Sequence, residues 1–136
     1  MSNTNNIQLR GIEILKTSID YPNIPNFSVK NYNYDIKVDN NVDRVNNVIF
    51  CIVSIVIKGD DNKLVLGSIA VSNIFHIPAL SKFIPKNIED KPNIPAELTN
   101  LLNSIAVNTT RGVMFNTFKG TFLHNAFLPV VEQIEL

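Results

Sequence analysis

Catalysis or metal binding would have to come from very few side chains. The histidines are His76 and His124, and neither has a second ligand two, three or four positions away, the spacing that brings two donors to one ion. No metal site is expected. Cys51, the single cysteine, can form neither an intramolecular disulfide nor a cysteine zinc cage, and it lies inside the apolar run Val48–Ile57. A reactive thiolate needs electropositive, partly exposed surroundings, so Cys51 reads as a buried structural thiol. There is no Gly-x-Ser-x-Gly elbow to present a nucleophilic serine. Lys119-Gly120-Thr121 has the wrong order and the wrong upstream glycines for a phosphate-cradling loop and reads as a helix stop. The acidic pairs Asp60-Asp61 and Glu89-Asp90 sit in polar sequence where no burial would raise a carboxyl pKa for acid/base work. The expectation is a protein that is not an enzyme and uses no cofactor.

The elements that would position these residues follow from hydrophobic period. Ile7 to Tyr21 carries Ile, Leu and Thr at mixed spacing without a helix cap and stops at Pro22-Asn23-Ile24-Pro25-Asn26, which reads as a long first strand and a stiff loop. Tyr32, Tyr34, Ile36 and Val38 alternate with Asn33, Asp35, Lys37 and Asp39, the period of a strand with one wet face. Val48–Ile57 is a β-branched run, and Lys58-Gly59-Asp60-Asp61-Asn62-Lys63 gives turn chemistry before Leu64–Ile77, so these two segments should pair as a hairpin. Prolines 78, 85, 92 and 95 mark an irregular crossing with one helical turn near Leu80–Ile84. Leu98, Leu101, Leu102, Ile105 and Ala106 then follow helical spacing, and Val113, Met114, Phe115 and Phe118 continue the stripe past Arg111-Gly112 to the stop at Lys119-Gly120. Strands followed by helices give an α+β layer protein.

Length and charge narrow the class. The 136 residues suit one domain spanning 1–136, with residues 1–6 as a disordered tail. A content of 45% hydrophobic and 18% charged residues is enough to close a core. Twelve basic residues balance twelve acidic ones, the wrong electrostatics for a protein whose affinity comes from neutralising phosphates, so nucleic acid is not an expected partner. The first six residues lack the basic and apolar regions of a secretory signal, and Val48–Ile57 is about half a membrane helix in length. A cytoplasmic protein without direct membrane insertion is expected.

One feature does point to function. Val113, Met114, Phe115, Phe118, Phe122, Leu123, Phe127, Leu128, Pro129, Val130 and Val131 crowd into nineteen residues. A small domain cannot easily bury all of these itself. They suit core plus subunit interface, or an apolar groove that takes extended or unfolded polypeptide through non-directional hydrophobic contact.

The same residues carry a resemblance to a known family. Ile7-Gln8, Ile12, Ser18 and Asp20-Tyr21-Pro22-Asn23-Ile24-Pro25-Asn26-Phe27 resemble the first strand of the SecB export chaperones and its acidic-x-Pro-Asn-x-Pro ending. Ser72-Asn73-Ile74-Phe75 resembles their Gly-Gly-Ile-Phe stretch, with both glycines replaced. Gly120-Thr121-Phe122 and Leu128-Pro129-Val130 resemble their Gly-Thr-Phe and Ala-Pro-Val segments after the long helix. Order and approximate spacing agree from Ile7 to Val131.

The resemblance implies a four-stranded antiparallel sheet with helices packed on one face. It also implies dimers joined through first strands and helices, paired into tetramers that hold non-native chains in apolar grooves. On that reading the chain is an ATP-independent holdase for unfolded or precursor polypeptides, working in protein export. The polypeptide contacts would be Phe75, Met114, Phe118, Phe122, Phe127 and Leu128, and Asp20 would be the polar partner contact. Two further positions through which the family engages its export motor ATPase are Lys16 and Ser68 here, which counts against that partner. The family's C-terminal helix has no counterpart before Leu136, so a more open groove is expected. The alternative that stays open is a SecB-like oligomeric adaptor or scaffold with one dedicated partner, for example in a toxin–antitoxin system.

Overall fold

The computed structural model describes residues 7–22, 29–60, 62–83 and 94–128. Among these residues four strands, β1 (Gln8–Ile19), β2 (Asn33–Asp43), β3 (Val48–Lys58) and β4 (Val65–His76), precede a short 3-10 turn (Leu80–Phe83) and one long helix, α1 (Ala96–Thr117). The strands form a single antiparallel sheet in the order β1-β4-β3-β2, with α1 packed over β3 and β4. The α+β class and the four-stranded sheet are those expected, with one helix on the covered face. The tail at 1–6, the residues 23–28, most of the proline-rich crossing at 84–93 and the end from Pro129 lie outside the described residues, as do Asp61, Glu89 and Asp90.

Alternation decides which side chains face the helix. Along β3, Ile49, Cys51, Val53, Ile55 and Ile57 are buried, while Phe50, Ile52, Ser54 and Val56 between them face the open side and are half-buried. Their partners Val71, Asn73 and Phe75 on β4 lie on the same covered face. On β2 the wet face is built from Asp35, Lys37 and Asp39, whose charges pair as Lys58 with Asp35 at 2.6 Å and Lys37 with Asp39 at 3.7 Å. Strand β1 is an edge and breaks the period twice, since its register with β4 shifts between Leu9 and Gly11 and between Ile14 and Lys16. Each shift adds one unpaired residue, which turns the following side chains to the other face. Leu9, Ile12, Ile14, Thr17 and Ile19 therefore all line the helix side despite their uneven spacing, yet α1 does not reach over the first three, which remain exposed.

Polar groups fix the turns. Asp43 accepts hydrogen bonds from the backbone N–H of Val45 (3.0 Å) and Asn46 (3.2 Å) and from the Asn46 amide (2.9 Å), and these hold its carboxyl below the usual range. Asn47 completes that turn in the left-handed conformation at φ 55°. Asp60 accepts from the N–H of Lys30 (3.2 Å) and Asn31 (2.7 Å) and ties the start of the second strand to the β3–β4 turn.

The helix is registered on the sheet by one polar pin. The buried Asn73 amide donates to the Cys51 carbonyl at 3.2 Å and to the Thr110 hydroxyl at 3.3 Å, and that hydroxyl donates to the Ala106 carbonyl at 2.7 Å. Around it pack Leu98, Leu102, Ala106, Val107, Met114 and Phe118 from the helix. Leu101 and Phe115, which sequence period places in the same stripe, stand on the opposite side of the helix and are exposed. Burial pushes the Cys51 thiol up to about 12, as a dry structural cysteine requires. No described helix is long and apolar enough to cross a membrane.

Candidate functional site

The site is built by the chain reversal that follows α1. Helical hydrogen bonding ends where the Phe118 N–H donates to the Met114 carbonyl at 3.0 Å, and Gly120, at φ +84°, takes the left-handed conformation that turns the chain back. Thr121 then organises the hook. Its hydroxyl donates to the Phe118 carbonyl (2.7 Å) and accepts from the Leu123 N–H (3.1 Å). Its carbonyl accepts from the His124 N–H (3.2 Å) and from His124 Nδ1 (2.8 Å). Leu123 anchors the hook by packing on Gly67 of β4, where a Cβ would lie 2.6 Å from Leu123 Cδ1 and 2.9 Å from the Ser18 carbonyl oxygen. Ala126 and Leu128 are buried after it, which leaves Phe127 pointing outward.

Phe127 thereby returns over the outer side of α1 and stacks on Phe115, with ring centroids 5.7 Å apart and an interplanar angle of 26°. Both rings remain half exposed, at 55% and 50%. On one side of the pair lies a groove of about 400 Å³ lined by Arg111, Gly112 and Leu128, and on the other a second of about 500 Å³ lined by Lys119, Thr121 and His124. Volumes of this size suit bound side chains or small ligands. Gly112 is the floor of the first compartment, and a Cβ placed there would meet nothing within 4 Å.

Of the six residues expected to touch polypeptide, the structure separates two groups. Phe75, Met114 and Phe118 are each 1% exposed and Leu128 2%, so in this chain they are core. The reason is geometric: Met114 and Phe118 extend the inner stripe of α1, Phe75 lies on the covered face of β4, and Leu128 is buried after the hook. Phe127 faces solvent. Phe122 is half-buried at a different corner, 5.0 Å between centroids from Tyr21, where its carbonyl accepts the Tyr32 hydroxyl at 3.5 Å. Asp20 is exposed beside that corner, its N–H donating to the Leu66 carbonyl at 2.9 Å. Phe115, one of the crowded apolar residues but not among the six expected contacts, belongs to the site. Its signal is a second apolar period on α1, Leu101, Ile105, Gly112 and Phe115, on the side away from the sheet.

Lys16 and Ser68 come together on the open face of the sheet, where they line a shallow depression of about 210 Å³ with Ser54 and Ala70. The Ser68 and Ser18 hydroxyls are 2.6 Å apart. Among the described residues no three His, Cys, Asp or Glu side chains converge as metal ligands. What the arrangement around Phe115 and Phe127 offers is apolar contact, ring stacking and cations at the rim.

No protein-family model matches the chain, and no curated protein matches it. Among solved structures, it is similar to a SecB-like chaperone of Mycobacterium tuberculosis (Rv1957), solved in complex with a ChAD peptide from the antitoxin HigA1 (Rv1956). The two share 14% sequence identity with a TM-score of 0.56, over 95% of this chain and 88% of that one. The chain therefore has the SecB-like fold.

Proposed function

We propose that this protein binds extended or unfolded segments of other polypeptides in the groove around Phe115 and Phe127, without ATP, as a holdase chaperone. The observation that carries the reading is the stacked ring pair, half in water at the outer side of α1 and flanked by grooves of about 400 and 500 Å³. Such a surface gains by burial against almost any apolar segment, because hydrophobic contact has no directional demand. Phe122, beside Tyr21, is a second contact, with Asp20 as the polar group next to it. Leu128 lines the groove beside Phe127, while Phe75, Met114 and Phe118 belong to the core behind it. The exposed Leu9, Ile12, Ile14 and Leu15 of the edge strand provide the surface for a homodimer or tetramer. Cytoplasmic handling of precursor polypeptides for export fits this reading.

A second reading, an adaptor with one dedicated partner, is favoured by Lys16 and Ser68 at the motor-contact positions and by the antitoxin peptide in the similar structure. Light scattering by several unrelated denatured proteins separates the two. A holdase suppresses aggregation of most of them and loses this on Phe127→Ser while staying folded and assembled. Protection of a single partner favours the adaptor. Failure to hold any unfolded chain refutes the proposal.

A further inference from the structure

Among the described residues the groove carries charge of one sign. From Leu98 to Leu128 the chain contains Arg111 and Lys119 and no Asp or Glu. These two cations sit on opposite sides of the ring pair, Arg111 in the compartment floored by Gly112 and Lys119 in the one that holds His124. On the sheet, Lys37 and Lys58 are neutralised in place by Asp39 and Asp35. Neither Arg111 nor Lys119 forms an ion pair with any described residue. A cation just past a helix C-terminus complements the helix dipole, which accounts for Lys119. It does not account for Arg111, more than a turn inside the helix and half-buried against the groove.

We propose that the segment bound here, on the polypeptide-binding reading above, is apolar at its centre and acidic at its flanks. One or two large apolar residues lie against Phe115 and Phe127, one flanking carboxylate meets the Arg111 guanidinium, and the other meets the Lys119 ammonium. Arg111 and Lys119 are eight positions apart. The six positions from Arg111 to the helix end at Thr117 rise about 9 Å at about 1.5 Å each, and Lys119 lies two residues beyond, so an extended peptide at about 3.3 Å per residue spans the separation in about three to four residues. The preferred pattern is therefore an Asp or Glu, two or three largely apolar residues, and a second Asp or Glu. The planar guanidinium takes the first carboxylate in a paired geometry, which a lysine there would not reproduce.

Fluorescence anisotropy with the full chain and three labelled peptides tests this. The peptides share one Phe-Leu centre and differ only in flanking glutamates, serines or lysines. The glutamate peptide binds about tenfold tighter than the serine peptide at low ionic strength, the lysine peptide binds more weakly than either, and the glutamate advantage collapses in about 0.5 M salt. The double variant Arg111→Gln, Lys119→Gln binds all three as the wild type binds the serine peptide. Equal binding of glutamate and lysine peptides, or a preference that survives the double variant, overturns the charge rule and leaves the polypeptide-binding reading standing. Binding of none of the three refutes both. Sedimentation of the double variant runs in parallel, and dissociation of an oligomer on loss of these cations would assign them to a subunit contact and overturn the inference.

Discussion

Gly112 is where stability and binding can be separated. It lies inside α1, five residues before Thr117, with helical backbone and an exposed surface. Glycine within a helix costs about 0.8–1 kcal/mol relative to alanine, through backbone entropy. At most positions a new Cβ brings a steric term of unknown sign, but here it meets nothing within 4 Å. Gly112→Ala should therefore stabilise the fold by about 0.5–1 kcal/mol. With a urea m-value of about 2 kcal/mol/M the unfolding midpoint rises by about 0.25–0.5 M, followed by circular dichroism at fixed protein concentration. Gly112→Leu goes further, because its branched side chain projects into the compartment of about 400 Å³ and occupies the space a client would use. It should keep at least wild-type stability while weakening peptide capture by about tenfold or more, the value of roughly one buried aliphatic side chain. A midpoint that falls for Gly112→Ala would refute the reasoning, since it would mean that another surface already fills that space in solution. Undiminished capture by a stable Gly112→Leu would remove the groove from the binding reaction.

Phe118→Ser should destabilise by about 3–5 kcal/mol, because it empties a fully buried ring site and inserts a hydroxyl, whereas Phe127→Ser should move the urea midpoint by less than about 0.5 M. Equal losses would contradict the inward and outward assignment of these rings. Gly67→Ala should cost about 1–3 kcal/mol in the same assay, since its Cβ drives into Leu123 and the Ser18 carbonyl, and Leu123→Ala should relieve part of that cost. Burial raises the Cys51 thiol from 9.0 to about 12, and burial followed by the neighbouring Tyr32 raises the Tyr34 phenol from 10.0 to about 12. A raised folded pKa means the native state holds the proton more tightly, so this contribution is fully present below about pH 9 and is lost as pH rises toward about 12. Urea midpoints should be level near neutrality and decline above about pH 9, and Cys51 should react with a thiol reagent only on unfolding; a midpoint that rises with pH contradicts the sign.

How far the sequence could be read depends on how many faces each element has to satisfy. Strand β2 has one wet face, so Tyr34, Ile36 and Val38 declare it at once. Strand β1 does not, because extra residues at Arg10 and Leu15 reset its alternation, and only the pairing with β4 reveals that Leu9, Ile12 and Ile14 share a side. Helix α1 was visible in extent but not in rotation. Its inner stripe and its outer row of Leu101, Ile105 and Phe115 are both apolar, so period alone cannot say which ring is core. Choosing Phe118 over Phe115 as a surface contact is the natural error of that symmetry. The outward placement of Phe127 depends on the Thr121 hydrogen bonds and the notch at Gly67, contacts between residues far apart in the chain. Gly120-Thr121 following a helical stripe was the visible trace of the reversal, though its direction was not.

The two interruptions of β1 also govern what the sheet does in a crowded cell. A straight twelve-residue margin with greasy side chains would act as a seed, accepting any β-prone chain and then offering it onward as fresh growth surface. Kinks at Arg10 and Leu15 coil the margin and break its row of donors and acceptors into short runs, none long enough to template a fibril. On the proposed function, a protein that binds unfolded chains would thereby keep its own border from being recruited into their precipitates.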